Sequence, residues 1–228
     1  GSEMCIRDSV KPTLESAEGY DIDDLLPNLT AVVDTGDALY GYPFANNAQP
    51  IIFNKTMFEE AGLETPAELA ARGAWDWDAL RESAAGLVDA GVATYGFNIP
   101  QFNYTSINQL NVVLNGFDAQ PWPNGTECGY NSPEAVNAME FLRGMIFEDG
   151  SFPGPGDQAS FPAGDTGMYV GAPSTLADLA EVDFEYDLAP QPTSPSGGGG
   201  LLGQAVLVAF SSADNTDLAA RLLAHISN

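Results

Sequence analysis

Apolar residues recur along the chain in two alternating rhythms, short unbroken runs and helical stripes, and residues with capping chemistry mark the changes between them. The run PIIFN is short, apolar and β-rich. Asn54 is placed to cap the amphipathic stretch behind it, and Gly62 to end that stretch in a left-handed conformation. Thr65-Pro66-Ala67-Glu68 reads as a capping box with Pro at the first helical position, and Gly73 closes the short helix that follows. Asp76 caps a longer helix, WDALRESAAGLVDAG, in which Trp77, Leu80, Ala84, Leu87 and Val88 recur at helical spacing. ATYGFNI reads as the next strand, followed by the polar aromatic loop PQFNYTS and a helix through about Leu114. Ser132-Pro133 opens a helix with the apolar stripe Ala135, Met139, Leu142, Met145 and Ile146, which is core by default. TGMYVG is a strand, STLADLA a short helix, EYDLAP a strand and LLGQAVLVAF a long apolar strand. The final helix, capped near Asp214 or Asn215, is expected to turn Leu218, Leu222 and Ile226 inward. Strands alternating with helices imply an α/β protein with a largely parallel or mixed sheet covered on both faces.

Composition narrows the partners more than the fold. The 228 residues are 44% hydrophobic, enough for a sizeable core in one or two domains. The 24 Gly and 16 Pro punctuate the periodic segments, apart from the run from Pro190 to Gly200. With 32 acidic residues against 7 basic ones, the net charge is −25. This argues against nucleic acid, because phosphate binding needs Lys and Arg to displace counterions, and against an anionic membrane surface for the same reason. Asp and Glu are scattered along every predicted helix, the pattern of a solvated surface. With only two Lys, that surface resembles those of proteins from salty habitats. Cys5 and Cys128 supply neither a disulfide framework nor the roughly four ligands of a zinc site. Residues 1–9, GSEMCIRDS, are expected to be a non-native leader: Gly1-Ser2 resembles a cloning scar, and MCIRDS resembles translated adapter sequence at the ends of metagenomic contigs. No apolar stretch reaches the roughly 18 residues a membrane span requires, and no secretory signal is visible.

Catalytic chemistry has little to build on. His225, the single histidine, falls in the last turn of the last helix, where it favours the helix dipole, so a Ser-His or Cys-His nucleophile pair is not expected. There is no Gly-x-Ser-x-Gly elbow, no phosphate-cradling Gly-Lys-Ser/Thr loop and no dinucleotide fingerprint. The glycines at 197–200 read as a flexible connection. Near pairs such as Asp76 with Asp78 and Asp183 with Glu185 arise by chance in so acidic a chain, and Asp76 already has a capping role. No catalytic residue, metal or cofactor is implied. What remains is three loops, PFANNAQ and PQFNYTS, rich in amides and aromatics, and VGAPST, with small residues and hydroxyls. Sugars expose apolar C–H faces ringed by hydroxyls, which aromatic rings and Asn, Gln and Asp side chains match. All three loops adjoin predicted strands, and open α/β sheets bind ligands beyond strand ends.

Five stretches in register carry a family likeness. They are LYGYPFANNAQPIIFNKTMFEEAGL, WDWDALRESAAGL, NSPEAVNAMEFLRGM, FPAGDTGMYVGAPS, and GLLGQAVLVAF leading into SSADNTDLAARLLAHI. Together they resemble the extracellular solute-binding proteins of ABC importers, specifically the sugar-binding family that includes maltose-binding protein, over most of residues 20–228. The resemblance implies a periplasmic-binding-protein-like two-lobe fold, with 10–45 and 199–228 in a partial first lobe and 46–198 in a nearly complete second lobe. YGYPFANN would cross the hinge between them. Further strand-helix units would precede GYDIDDLLPN and further helices would follow Asn228. Position by position, Asn47 matches the hinge position at which maltose-binding protein offers a carboxylate to the sugar, with Phe44 and Asn46 in the same stretch. Asn103 and Tyr104 fall at the aromatic sugar contact after the GFN strand, with Gln101 and Asn108 nearby. Gly171 opens, and Ser174 follows, the GAP that matches the family's Gly-Pro-Trp, whose stacking tryptophan is absent here. Gln204 lies at the return crossing, while Trp75, Trp77 and Phe58 read as core on helices.

The function so implied is non-enzymatic: a sugar or polyol enters a cleft between two lobes, which close by hinge rotation and face a membrane permease. The whole protein would work in the periplasm or outside the cell, meeting the membrane only through a lipid anchor or the permease. Two alternatives stay open. One keeps the fold and binds a cation such as a polyamine, for which the acidity is the clue. The other is a carbohydrate-active enzyme, which needs two carboxylates roughly 5 to 9.5 Å apart flanking a groove.

Overall fold

A computed structural model describes residues 9–17, 21, 25–31, 33–102, 107–198 and 200–226. In chain order the elements are α1 (Lys11–Ser16), α2 (Pro27–Thr30), β1 (Tyr42–Ala48), β2 (Ile51–Asn54), α3 (Lys55–Ala61), α4 (Pro66–Ala71), α5 (Trp77–Asp89), β3 (Tyr95–Asn98), α6 (Ile107–Gly116), α7 (Pro133–Phe147), β4 (Thr166–Val170), β5 (Tyr186–Ala189), β6 (Leu202–Leu207) and α8 (Thr216–Ile226), with 3₁₀ turns at Phe161–Ala163 and Pro173–Leu179. The chain divides into two compact units, Ala48–Leu201 and Gly1–Asn47 with Leu202–Asn228.

Local chemistry sets the helix ends of the larger unit. Asn54 Oδ1 accepts from Met57 N at 3.0 Å, Asp76 Oδ1 from Ala79 N at 2.9 Å and Ser132 Oγ from Ala135 N at 3.2 Å. Thr65 and Glu68 close a reciprocal box, and Gly62 ends α3 at φ +67°. Each such cap is worth about 1 kcal/mol.

The larger unit is built on a mixed sheet of order β3-β4-β2-β5. β3 runs parallel to β4, and β2 runs antiparallel to both β4 and β5. Alternation along the strands divides the side chains between two faces. Ile51, Phe53, Phe97, Met168 and Val170 enter the main core with Trp77, Leu80, Leu87, Phe141 and Met145. Ile52 and Tyr169 enter a small cluster on the other face with Phe161 and Leu179. That second face is covered by the 3₁₀ turns and not by helices, and Leu188 on β5 stays 43% exposed. Helix α5 lies so close to β3 that a Cβ at Gly96 would strike the backbone of Ala84, so only glycine permits the contact.

The stripe on α7 is carried by Ala135, Ala138, Phe141, Leu142 and Met145, whereas Met139, expected in it, faces solvent. Trp75 is core as expected, yet it lies in the loop before α5, its Nε1 donating to Pro190 O at 2.9 Å.

The smaller unit pairs β1 with β6 and packs α1 against α8 over Val10, Leu14, Leu39, Tyr42, Ala220, Leu223 and Ala224. Here the sequence expectation fails: Leu218, Leu222 and Ile226 are exposed, and the buried face of α8 is Ala220, Leu223 and Ala224. Two alanines one turn apart allow α1 a close approach that a face of three large side chains would hold off. Among the described residues no helix is long and apolar enough to cross a membrane.

Candidate functional site

Parallel pairing puts the C-terminal ends of β3 and β4 at one edge of the sheet, and antiparallel pairing brings the start of β2 to the same edge. The chain leaves β3 through Ile99-Pro100-Gln101, leaves β4 through Gly171-Ala172 and enters β2 through Gln49-Pro50. Gly171 N donates to Pro50 O at 2.9 Å, and a Cβ at Gly171 would run into the Ile52 side chain. With the first turns of α6, these segments enclose a cavity of about 310 Å³. Its polar lining is Gln49, Gln101, Asn108, Gln109 and Thr175, and its apolar lining is Ile99, Pro100, Val112, Val170 and Ala172.

Several of these groups are held in place. Thr175 Oγ1 donates to Ala172 O at 2.7 Å and accepts from Ala172 N and from the Tyr169 hydroxyl, each at 3.2 Å. Gln191 Nε2 donates to Gln49 O at 2.7 Å, pinning the segment that enters β2. Gln101 stands at φ +56°, a left-handed conformation that costs a non-glycine residue stability and persists where its surroundings enforce it. A neighbouring cavity of about 390 Å³ shares Gln101 and adds Asn98, Asp157 and Gln158 to the half-buried Phe102, whose ring meets Phe152 edge-on at 5.2 Å. None of the residues lining the 310 Å³ cavity is ionisable. Behind it, burial pushes the Tyr169 phenol above its ordinary range. Among the described residues, no three of His, Cys, Asp and Glu are grouped to hold a metal ion.

Of the residues proposed from sequence, Gln101, Asn108 and Gly171 meet at this cavity. Ser174 is exposed beside it on the 3₁₀ turn and does not line it. Asn103 and Tyr104 lie outside the described residues. Phe44, Asn46, Asn47 and Gln204 belong to the smaller unit, where Gln204 Nε2 donates to Asn46 Oδ1 at 3.0 Å and to Leu29 O at 2.9 Å. Phe44 there is 52% exposed. Gln49, Gln109 and Thr175 were not singled out. Each lies one or two positions from a residue that was, Gln49 from Asn47, Gln109 from Asn108 and Thr175 from Ser174.

The fold is part of the periplasmic-binding-protein-like, two-lobe α/β fold, as its superposition on solved structures shows. The chain belongs to the family described as bacterial extracellular solute-binding protein, whose profile it matches over residues 9–227. It is 26% identical over 200 residues to a protein of Brucella abortus (strain 2308) named as a candidate binding protein, an alignment covering 81% of this chain and 45% of that one. Its fold superposes on the ABC substrate-binding protein of Listeria monocytogenes in complex with cycloalternan with a TM-score of 0.81 at 18% identity, covering 100% of this chain and 58% of that one. For the ABC transporter solute-binding protein of Agrobacterium vitis with bound D-mannitol the TM-score is 0.73 at 21% identity, covering 99% and 55%. The chain thus spans about half the length of the relatives it matches.

Proposed function

We propose that this chain is part of the substrate-binding component of an ABC importer, and that it holds a sugar or related polyol at the strand-end cavity for delivery to a membrane permease. The observation that carries the reading is the neutral lining: three Gln, one Asn and one Thr around an apolar floor. Amides and hydroxyls both donate and accept, as the hydroxyls of a sugar require, and the apolar floor takes its C–H faces. No carboxylate lines the cavity, which favours a hydroxylated ligand over a polyamine there. The bound cycloalternan and D-mannitol of the two related folds support the same chemical class. Asn103 and Tyr104, which the family resemblance sets at the aromatic sugar contact, would add to the grip on the ligand. The ligand leaves unchanged, so the reading is non-enzymatic, and it acts outside the cytoplasmic membrane.

Titration calorimetry against a panel of hexoses, disaccharides and hexitols tests it. At least one should bind, and Gln101→Ala with Asn108→Ala should together weaken that ligand about thirtyfold, since each lost hydrogen bond is worth about 1 kcal/mol. Binding by no member of the panel, or binding that ignores both substitutions, refutes it.

A further inference from the structure

We propose that Asn124 in the folded chain is the acceptor of an N-linked glycan, and that the exposed ring of Trp122 takes the apolar face of its first sugar. Asn-x-Thr, with x other than Pro, is the acceptor triplet for N-glycosylation of secreted proteins. The chain holds four such triplets, starting at Asn28, Asn54, Asn103 and Asn124, and no Asn-x-Ser form. The fold separates them. Asn54 is buried, and its Oδ1 caps α3. Asn28 lies on α2, where the Thr30 hydroxyl donates to Pro27 O at 3.2 Å and not to the asparagine. Asn103 lies outside the described residues. Of the three that are described, only Asn124 is both exposed and in a turn, on the loop between α6 and α7.

The loop is tied at its base by Gly129 N, which donates to Pro121 O at 2.9 Å. Inside it, Gly125 N donates to Trp122 O at 3.1 Å, closing a turn whose last residue, Gly125, stands at φ +76° as glycine readily does. Asn124 Oδ1 accepts from Thr126 Oγ1 at 3.2 Å, from Thr126 N at 3.3 Å and from Glu127 N at 2.9 Å. None of these bonds uses Nδ2, the nitrogen that must react. Donors on Oδ1 also stabilise the negative charge that the oxygen gathers as Nδ2 loses a proton. A tight turn accounts for Asn124 and Gly125 but not for Trp122. That ring is 55% exposed and meets Tyr130 edge-on, with centroids 6.4 Å apart. Two positions before the acceptor and on the same turn, it offers an aromatic surface to the C–H face of a sugar joined to Nδ2. In the transfer, Nδ2 attacks the anomeric carbon of a glycan carried on a polyprenyl pyrophosphate. The Nδ2–C1 bond forms, the C1–O bond to the phosphate breaks with its electron pair leaving on the phosphate oxygen, and one Nδ2 proton passes to a base of the transferase. Nothing is oxidised or reduced, and carrier and transferase both come from outside the chain.

The test incubates the folded chain with a purified oligosaccharyltransferase that reads Asn-x-Thr and a polyprenyl-pyrophosphate oligosaccharide. A reference peptide containing Asn-Gly-Thr, in the same tube, proves the transferase active. Intact mass and peptide mapping should find one glycan, on Asn124. Asn124→Gln and Thr126→Val should each lower transfer at least tenfold, with circular dichroism unchanged. The glycan should raise the thermal midpoint of the parent by about 2–4 °C. Trp122→Ala should remove most of that rise, and Trp122→Tyr should keep it. A parent that gains no glycan while the peptide does, or carries it at Asn28 or Asn54 instead, overturns the proposal. So does a midpoint rise that survives Trp122→Ala unchanged. The loop shares no residue with the strand-end cavity, so the outcome is independent of the sugar-binding reading.

Discussion

Thr175 concentrates three hydrogen bonds on one oxygen, and it holds the turn after β4 in the shape that forms one wall of the cavity. Valine has nearly the same shape and none of the bonds. Thr175→Val should therefore strand the Tyr169 hydroxyl and the Ala172 amide, at a cost of about 1–3 kcal/mol in a urea denaturation series. A substitution that costs less than about 0.5 kcal/mol would show that water replaces the threonine without loss. Tyr169 adds a pH signature. Burial is the leading reason that its phenol, and those of Tyr95 and Tyr130, sit above the ordinary value. In the unfolded chain a phenol ionises near about 10, while the folded phenols keep their protons to higher pH. The folded state then binds more protons, so this contribution is complete below about pH 10 and is lost as pH rises through the raised values. The urea midpoint should fall on the alkaline side, and Tyr169→Phe should shrink that fall. The hydrogen-bonding role of Thr175 was not legible in the sequence, because VGAPST names the turn without saying which hydroxyl turns back toward Tyr169.

Helix ends were legible because a cap is a local event: Asn54, Thr65, Asp76 and Ser132 each bond an amide three residues ahead. The buried face of a helix is decided by its neighbour, and α8 shows the difference. Its large residues Leu218, Leu222 and Ile226 read as the inward stripe, yet α1 packs against the alanine-bearing side. Leu223→Ala should then destabilise the smaller unit by about 2–5 kcal/mol, whereas Leu222→Ser should stay within about 0.5 kcal/mol. Equal costs at the two positions, followed by urea unfolding, would contradict the packing of α8. Strand positions were readable for a similar local reason, since apolar runs such as PIIFN and TGMYVG stand out from their flanks. Their order was not. That β4 inserts between β3 and β2, pairing parallel on one side and antiparallel on the other, depends on contacts between residues about seventy positions apart on the first side and more than a hundred on the second. The candidate cavity inherits that limit: the amide loops could be named one by one, but only the strand order brings Gln49, Gln101 and Thr175 to one edge.

For the molecule as a whole, charge sets the response to its medium. The 32 acidic and 7 basic residues leave a net charge of −25. In the larger unit the cations are already committed: Lys55 to Glu59 and Glu185, Arg72 to Glu64, Arg81 to Glu148 and Asp149, Arg143 to Glu140 and Glu148. Salt therefore acts in two opposed directions. It screens these pairs, most of which are exposed and worth about 0–1 kcal/mol each. It also screens repulsion among the carboxylates that have no cation to meet, and these are the majority. Raising NaCl from 0.1 to 1 M shortens the Debye length from about 10 Å to about 3 Å, which spans most separations between neighbouring surface charges. Because the excess of acids far outnumbers the pairs, relief of repulsion should win, and the urea midpoint should rise with NaCl over this range. Equimolar KCl should act alike, since the effect is screening and not the binding of a particular cation. A midpoint that falls with salt would mean that the four basic clusters contribute more than their exposure suggests, and Arg81, joined to Asp149 across the gap between α5 and the end of α7, would be the first to substitute.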